Sequence, residues 1–235
     1  MTALLTKTES ALSFGLPRTD NVFPGFRMGD FAVLHGHPLC KTLSFLLSVR
    51  CQLPKREGGL NSSVIYVDGG NTFNPYAVSA IAQEYELDPR AALERVFVSR
   101  AFTAYQLSAL IFETLENALK QYRSKLVLIS DITSLFLDRD VPKKESMEIF
   151  NKSVIYLSDL VARRNIIVVA TCFPRWRSKT RVFLESVLFG RAGIVMKVGD
   201  SKDRLQFSLE RHPLLKSFTI DVLPNAVTLE RFVEA

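Results

Sequence analysis

The sequence predicts an α/β fold in which a mostly parallel sheet is flanked by helices. Two observations lead to this prediction. Short runs that are apolar throughout alternate with segments of helical length, and residues 193–232 hold several short strands without a long helix. Strands that are apolar throughout are typical of parallel sheets covered on both faces. We therefore expect a parallel sheet with antiparallel strands added at the C-terminal end.

The elements follow one another in regular alternation. Strands are expected over residues 31–34, 63–67, 96–99, 125–130 and 165–170. Helices are expected over residues 43–53, 74–87, 88–95 and 103–122, and around residues 147–161. Three helix starts carry capping signals, namely Asn74 with Pro75, Asp88 with Pro89, and Thr103 with Gln106 in a capping box.

Composition bounds the class of protein. The chain has 235 residues, of which 47% are hydrophobic and 23% charged, and this excludes a disordered, collagen-like or coiled-coil chain. Three cysteines without a CxxC pair argue against a disulfide framework or a structural zinc site. No apolar run approaches the roughly 20 residues of a membrane helix, and the N-terminus lacks the features of a signal peptide. We expect one soluble, cytoplasmic domain over residues 1–235, with residues 1–12 as a lead.

Positive charge is concentrated in one stretch of the sequence. The net charge is +6, and residues 173–211 hold nine Lys or Arg against four Asp or Glu. Such asymmetry indicates an anionic partner, and a solvated surface that maintains solubility is the alternative.

A phosphate-binding loop is one interpretation of the segment after the first strand. The segment consists of His35, Gly36, His37, Pro38, Leu39, Cys40, Lys41 and Thr42. It has the length and the ending of the GxxxxGK[ST] motif, in which backbone N–H groups, a lysine and a hydroxyl hold phosphates and Mg²⁺. His35 and Cys40 replace the two glycines. The alternative is that Lys41 and Thr42 merely open a helix.

Asp131 is the candidate for a second magnesium contact, together with Thr42. It follows the apolar strand at residues 125–130, where a protein with a phosphate loop holds its Mg²⁺. The alternative role is that of a turn cap, which is common for Asp after a strand.

A basic segment with the single tryptophan is the candidate for DNA contact. It comprises Arg175, Trp176, Arg177, Lys179 and Arg181. Basic side chains neutralise phosphates, and an aromatic ring can stack on an unpaired base. If the segment is extended, its four charges form one row. The alternative is a solvated basic turn with the tryptophan packed on the core.

Four segments together resemble one family. They are residues 15–29, VIYVDGGNTFNP at 64–75, LDPRAALERVFVSRAF at 87–102, and KLVLISDITSLF at 125–136. They are similar to the RecA/RadA-type recombinases of the archaeal and eukaryotic strand-exchange branch, over roughly residues 10–232. The resemblance implies a RecA-like core that takes ATP and Mg²⁺, contacts DNA, and acts in homologous recombination. Neither the separate N-terminal helical domain nor a clear Phe-x-x-Ala oligomerisation segment of that family is expected here.

Several positions depart from the pattern that the resemblance implies. Gly70 stands where the family has its catalytic glutamate, and Ser130 or Asp131 where it has its metal-holding aspartate. The Asn-Gln pair that senses the γ-phosphate is replaced by Thr171-Cys172. A general base must be present for hydrolysis. We therefore expect little or no ATP hydrolysis, while weak binding of ATP and Mg²⁺ stays open.

The resulting hypothesis is a divergent recombinase paralogue. It would assist DNA repair by binding single- or double-stranded DNA, the true recombinase, or another paralogue. Two alternatives are an active DNA-dependent ATPase with an unorthodox phosphate loop, and a non-enzymatic structural subunit of a paralogue complex.

Overall fold

A single eight-stranded sheet organises the fold. The computed structural model describes residues 11–138, 140–174, 178–201 and 204–222. The strands are β1 (Phe31–Gly36), β2 (Val64–Asp68), β3 (Val96–Arg100), β4 (Leu126–Ser130), β5 (Ile167–Cys172), β6 (Ile194–Ser201), β7 (Arg204–Arg211) and β8 (Phe218–Val222).

The strand order is β3-β2-β4-β5-β1-β6-β7-β8. All pairs from β3 to β6 are parallel, and β7 and β8 are antiparallel additions. The prediction of a mostly parallel sheet with antiparallel strands at its C-terminal end is confirmed.

Helices connect the parallel strands. They are α1 (Pro17–Asp20), α2 (Leu39–Arg50), α3 (Pro75–Glu84), α4 (Pro89–Glu94), α5 (Ala104–Ala109), α6 (Leu115–Gln121), α7 (Lys143–Arg164) and α8 (Lys179–Arg191). A π-helical turn over Leu110–Thr114 joins α5 to α6, and short 3₁₀ turns occupy Lys55–Glu57 and Leu135–Leu137. None of the described helices combines the length and apolar character that a membrane crossing requires.

Each face of the sheet carries its own hydrophobic core. Alternate residues of a strand point to opposite faces. In β1, Ala32 and Leu34 therefore pack with α2 and α3, while Phe31 and Val33 pack with α5, α7 and α8. The buried residues of β2, β4 and β5 divide in the same way, which explains why these strands are almost wholly apolar, with polar residues only near their carboxyl ends.

The predicted capping residues are confirmed. The Asn74 carboxamide accepts hydrogen bonds from the N–H groups of Tyr76 and Ala77. Asp88 accepts from Ala91, and the Thr103 hydroxyl accepts from Gln106 N–H. These bonds satisfy donors that the first helical turn leaves without partners, and they fix where α3, α4 and α5 begin.

Three features of the helices differ from the sequence prediction. Helix α2 spans 39–50 rather than 43–53, because the segment before it turns within two residues. The sequence pattern places Leu107, Ile111, Leu115, Ala118 and Tyr122 on one face of the helix after β3. The π turn adds a residue, so that Leu119 is buried while Ala118 and Tyr122 are only partly covered. Helix α8 was not predicted, although Ser178 caps it and Leu184 and Leu188 form its buried stripe.

Gly36 allows β1 and β6 to pair closely, and substitution to alanine tests this. Its φ is +106°, and a Cβ atom there would overlap the Val198 carbonyl oxygen. We expect Gly36→Ala to lower the free energy of unfolding by about 2–4 kcal/mol through backbone strain and overpacking. Chemical denaturation measures the change.

Gly190→Ala provides the matched control. Gly190 lies in α8 with open space where its Cβ atom would be. Because alanine favours helix over glycine, this variant should be unchanged or stabilised by about 0.5–1 kcal/mol. Equal stability of the two variants would contradict the role assigned to Gly36.

Candidate functional site

The carboxyl ends of the parallel strands bring the predicted nucleotide residues to one edge of the sheet. His35 in β1 is in register with Cys172 in β5. Asp131 follows β4, and its N–H donates to the Thr171 hydroxyl at 2.9 Å. The edge next to a strand-order reversal is where open α/β sheets bind ligands. The fold therefore places these candidates where a nucleotide site is expected.

The predicted phosphate loop is much shorter than its sequence indicates. His35 and Gly36 are the last residues of β1, and Leu39, Cys40, Lys41 and Thr42 form the first turn of α2. Only His37 and Pro38 remain between strand and helix. A loop of two residues does not wrap around a phosphate chain.

Its backbone donors are also engaged within the protein. The His37 N–H donates to Val198 O at 2.9 Å, and the Leu39 N–H to His37 Nδ1 at 3.2 Å. The N–H groups of Cys40 and Lys41 donate to His37 O and Pro38 O at 3.1 and 3.0 Å. Free backbone N–H groups are what makes such a loop an anion site. This loop in its present form does not fit a triphosphate.

The side chain of His35 is directed to β7 instead. Its Nε2 lies 2.9 Å from Glu210 Oε2, and its ring centroid lies 4.7 Å from that of Phe189. A histidine that replaces the first glycine of the motif therefore holds two neighbouring elements together.

The remaining loop residues are largely interior. Cys40 and Thr42 are at most 1% exposed. Burial raises the pKa of the Cys40 thiol, and it raises that of the nearby Cys172 to about 11, so both thiols stay protonated at neutral pH. Lys41 is partly exposed, and within the described residues its ammonium makes no hydrogen bond or ion pair. Among the predicted phosphate ligands, Lys41 is the one whose charge is available.

The ends of β2 and β4 are occupied by structural hydrogen bonds. The buried Asp68 carboxylate accepts from the N–H groups of Thr72 and Phe73 and pairs with Arg100 at 3.2 Å. Ser130 is the last residue of β4, and its hydroxyl lies 2.7 Å from that of Thr72. Asp131 comes directly after the strand, is buried, and has a φ of +44°.

Gly70 has no room for a side chain. A Cβ atom there would lie 2.9 Å from Asp131 Cβ and 3.2 Å from Thr72 Cγ2. The position that the resemblance assigns to a catalytic carboxylate is therefore closed by packing as well as by residue type.

The basic segment is described only in part. Arg175, Trp176 and Arg177 lie outside the described residues. Lys179 is exposed at the first position of α8. Because Lys179 and Arg181 lie in a helix, they do not share one side as they would in an extended strand, and the expected single row does not hold for them.

Arg181 is engaged within the protein. Its Nε and Nη2 atoms contact Glu185 Oε1 at 2.7 and 2.6 Å, and Nη2 also donates to Phe173 O. Only 11% of its side chain is exposed. Lys179 is thus the described member of the predicted DNA set that faces solvent.

The sequence did not reveal a cavity of about 560 Å³ next to this segment. It lies between the 3₁₀ turn at 135–137 and the first turns of α7 and α8. Phe136, Leu137, Val141 and Met147 form its apolar wall, and Lys143 and Lys179 stand at its rim. The residues come from two segments distant in sequence, 136–147 and 178–180, so no local motif signals the cavity.

The strand predicted at residues 96–99 is confirmed as β3, and it lies at one end of the strand order. Val98 is 38% exposed, and Phe102 and Tyr105, which follow the strand, are 63% and 47% exposed. The edge position of β3 explains why partly covered and exposed residues alternate along it, and the local sequence does not signal that position.

Strand order and site position define a RecA-like α/β core, with the loop after β1 at the place of the nucleotide site. The Rad51 family model matches residues 18–173, well over half of the chain. The chain therefore belongs to the Rad51 family, a family of recombination and DNA repair whose domains typically bind ATP with Mg²⁺.

Substituting Gly70 tests whether one carboxylate is all that the site lacks. We expect Gly70→Glu to lower the free energy of unfolding by about 1–3 kcal/mol, because its Cβ atom would overlap Asp131. We also expect no gain in phosphate release, since the loop donors remain engaged. Gly70→Ala is the control, because it adds the same Cβ without a carboxylate. Turnover on the order of 1 s⁻¹ in Gly70→Glu would contradict this reading of the loop.

Proposed function

We propose that this Rad51-family chain is a divergent recombinase paralogue. It acts as an accessory factor in homologous-recombination repair, by binding DNA and the true recombinase or another paralogue, and it hydrolyses ATP weakly or not at all. The observation that carries the proposal is the two-residue connection between β1 and α2, whose backbone donors are all hydrogen-bonded within the protein.

The chemistry of the strand ends supports the same conclusion. Hydrolysis needs a base within reach of the attacking water. Gly70 offers none, and the neighbouring Asp68 carboxylate holds a turn and Arg100. When bound, a nucleotide with Mg²⁺ would supply γ-phosphate chemistry. Among the predicted phosphate ligands, all of which the structure describes, Lys41 is the one that would present an available charge to it.

Measurement of ATP turnover tests the catalytic half of the proposal. Phosphate release by the purified chain should stay at background with and without single-stranded DNA. Lys41→Ala should leave it unchanged, because no turnover depends on the lysine. Turnover on the order of 1 s⁻¹ that Lys41→Ala abolishes would instead favour an active DNA-dependent ATPase using Lys41, Thr42 and Asp131.

The basic segment is the proposed contact for single-stranded DNA. Lys179 is exposed beside the cavity, and Arg175, Trp176 and Arg177 precede it in the sequence. Arg181 is left out of the contact set, because Glu185 and the Phe173 carbonyl hold its guanidinium. The proposed contact therefore has three charges and one ring.

Neutralising those three charges tests the contact. Arg175→Gln, Arg177→Gln and Lys179→Gln together should flatten the slope of log K against log[salt] by about 2 units for a single strand, at 0.7 per phosphate. Trp176→Ala should weaken binding by about 1–3 kcal/mol with the slope unchanged, if a base stacks on the ring. Fluorescence anisotropy with an oligothymidine measures both, and an unaltered affinity and slope in the triple variant would refute the contact.

A second candidate function is that of a structural subunit without DNA contact. The exposed edge of β3 favours it, because Val98, Phe102 and Tyr105 present apolar surface beside strand groups that no described strand pairs with. An extended segment of a partner can add to such an edge. Absence of salt-dependent DNA binding by the wild-type chain would favour this function over the first.

A further inference from the structure

The larger surplus of positive charge in the folded chain lies at the edge opposite the nucleotide residues. Five segments lead into the amino ends of β2 to β6, and four of them include the last turn of the preceding helix; they are residues 51–63, 91–95, 118–125, 161–166 and 188–193. We call them together the amino edge. They hold nine Lys or Arg against two Glu. The basic residues are Lys55, Arg56, Arg95, Lys120, Arg123, Lys125, Arg163, Arg164 and Arg191.

The surplus of seven positive charges exceeds the +6 of the whole chain, so the remaining residues sum to −1. The carboxyl edge carries a smaller surplus. Counted in the same way, with the first four residues of each following helix, its segments are residues 37–42, 69–78, 101–107, 131–146 and 173–182, and they hold eight Lys or Arg against three Asp and one Glu.

Hydrogen bonds hold the five segments side by side. Val64 N–H donates to Arg95 O at 3.0 Å, which joins the entrances of β2 and β3. The Ser63 hydroxyl donates to Tyr122 O at 2.6 Å, which joins those of β2 and β4. Ile167 N–H donates to Lys125 O at 2.9 Å, and this places the entrance of β5 next.

The edge continues through the centre of the sheet. Gly29 N–H donates to Ile166 O at 3.0 Å, and Gly193 N–H to Phe31 O at 2.9 Å. Six parallel strands at about 4.8 Å spacing make an edge of about 24 Å. A duplex carries about 14 phosphate charges along that length, at one per 1.7 Å.

Most of the charge at this edge is open to solvent. Lys55, Lys120, Arg123 and Arg191 are exposed and Arg95 is half-buried, and within the described residues their side chains have no hydrogen bond or ion pair. The other four are engaged. Arg56 pairs with Glu57, Arg163 and Arg164 pair with Glu116, and Lys125 donates to Leu60 O.

The amino edge offers no ring on which a base can stack. Its two aromatic side chains are occupied, since Tyr122 stacks on Phe97 at a centroid distance of 3.5 Å and Phe189 packs against His35. None of the large exposed apolar residues of the described chain belongs to the five segments. Stacking is what draws single strands to a surface, whereas charge alone serves a phosphate backbone.

We propose that the amino edge binds the sugar-phosphate backbone of duplex DNA without sequence preference. The proposal rests on the proposed function as a DNA-binding accessory factor and adds a second contact surface, at the opposite ends of the strands from the basic segment. In this arrangement the basic segment binds a single strand at the carboxyl edge, and other residues of the same chain bind a duplex at the amino edge.

Helix dipoles give an independent reason for part of this charge. Helices α2, α4, α6, α7 and α8 all end at this edge, and cations at a helix C-terminus are stabilised there whatever the partner. Arg95 caps the end of α4 and is covered by the same argument, whereas Lys55 and Lys125 lie outside the last turns of these α-helices. A binding measurement separates the two roles, because dipole compensation alone leaves DNA affinity unchanged.

The test neutralises four side chains that have no partner within the described chain. The amino-edge variant is Lys55→Gln, Arg95→Gln, Lys120→Gln and Arg123→Asn, the last chosen because residue 123 has a φ of +50°. The control variant is Lys144→Gln, Arg175→Gln, Arg177→Gln and Lys179→Gln, which also removes four charges. Each is titrated with a 30-bp duplex and with an oligothymidine, from 50 to 200 mM NaCl.

The amino-edge variant should bind the duplex at least about ten-fold more weakly, with a salt slope smaller by about 3–4 units, at 0.9 per phosphate. Its binding of the single strand should be nearly unchanged. The control variant should show the reverse pattern. If the fourfold variant unfolds, Lys55→Gln with Lys120→Gln replaces it, with an expected slope change of about 2 units.

Three results would overturn the proposal. In the first, the amino-edge variant binds the duplex with unchanged affinity and salt slope. In the second, the control variant loses as much duplex binding as the amino-edge variant. In the third, the wild-type chain binds polyglutamate but does not bind the duplex. In the first two cases single-strand binding through the basic segment, and with it the proposed function, survives. If the wild-type chain binds neither the duplex nor the single strand, this proposal and the DNA-binding half of the proposed function are both refuted.

Discussion

The hydrogen bond from His37 N–H to Val198 O closes the loop at the nucleotide edge, so that the loop does not form a phosphate cradle. It extends the pairing of β1 with β6 by one residue beyond Gly36, and so brings the chain to the start of α2 after only two connecting residues. In a phosphate loop the same stretch would stand away from the sheet with its N–H groups turned inward to an anion. The same N–H groups cannot serve both strand pairing and phosphate binding. In this protein the His37 N–H is used for pairing with β6.

The other changes at this edge are consistent with that closure. His35 faces Glu210 rather than a ligand, Cys40 is packed inside the core, and Gly70 lies against Asp131. Each residue is engaged in contacts within the protein at the place where the nucleotide site is expected. These residues of the edge have become part of the protein's internal packing, and the larger surplus of positive charge lies at the other ends of the same strands.

Much of the fold follows from local sequence. The strands at 64–68 and 126–130 were predictable because both are apolar up to their last residue, Asp68 or Ser130. The starts of α3, α4 and α5 were predictable because Asn74, Asp88 and Thr103 cap them. Helix α8 was missed because a cluster of basic residues at its start resembles a solvated loop. The buried face of α5–α6 was displaced by one residue, since a π turn leaves no simple periodic signal.

The sequence predicted which residues lie at the nucleotide edge, but it did not predict most of the contacts that these residues make. Lys41, Thr42 and Asp131 were identified from their positions at strand ends, and the fold does bring their segments to one edge. Two facts depend on contacts distant in sequence. The engagement of the loop donors needs Val198, and the charged edge needs five helix-to-strand connections to meet. The sequence alone shows a surplus of positive charge in residues 173–211, whereas the fold brings basic residues from five connections together at the amino edge.

The three buried cysteines make the two hydrophobic cores separately observable. Cys40 and Cys51 belong to the core on one face of the sheet and Cys172 to the core on the other, and all three are free thiols. Burial raises the pKa of Cys51 to about 12, so a thiol reagent meets neither thiolate nor open access in the folded chain. Labelling therefore requires that a core opens. The relative rates at the three positions report which face of the sheet loosens first, without any introduced probe.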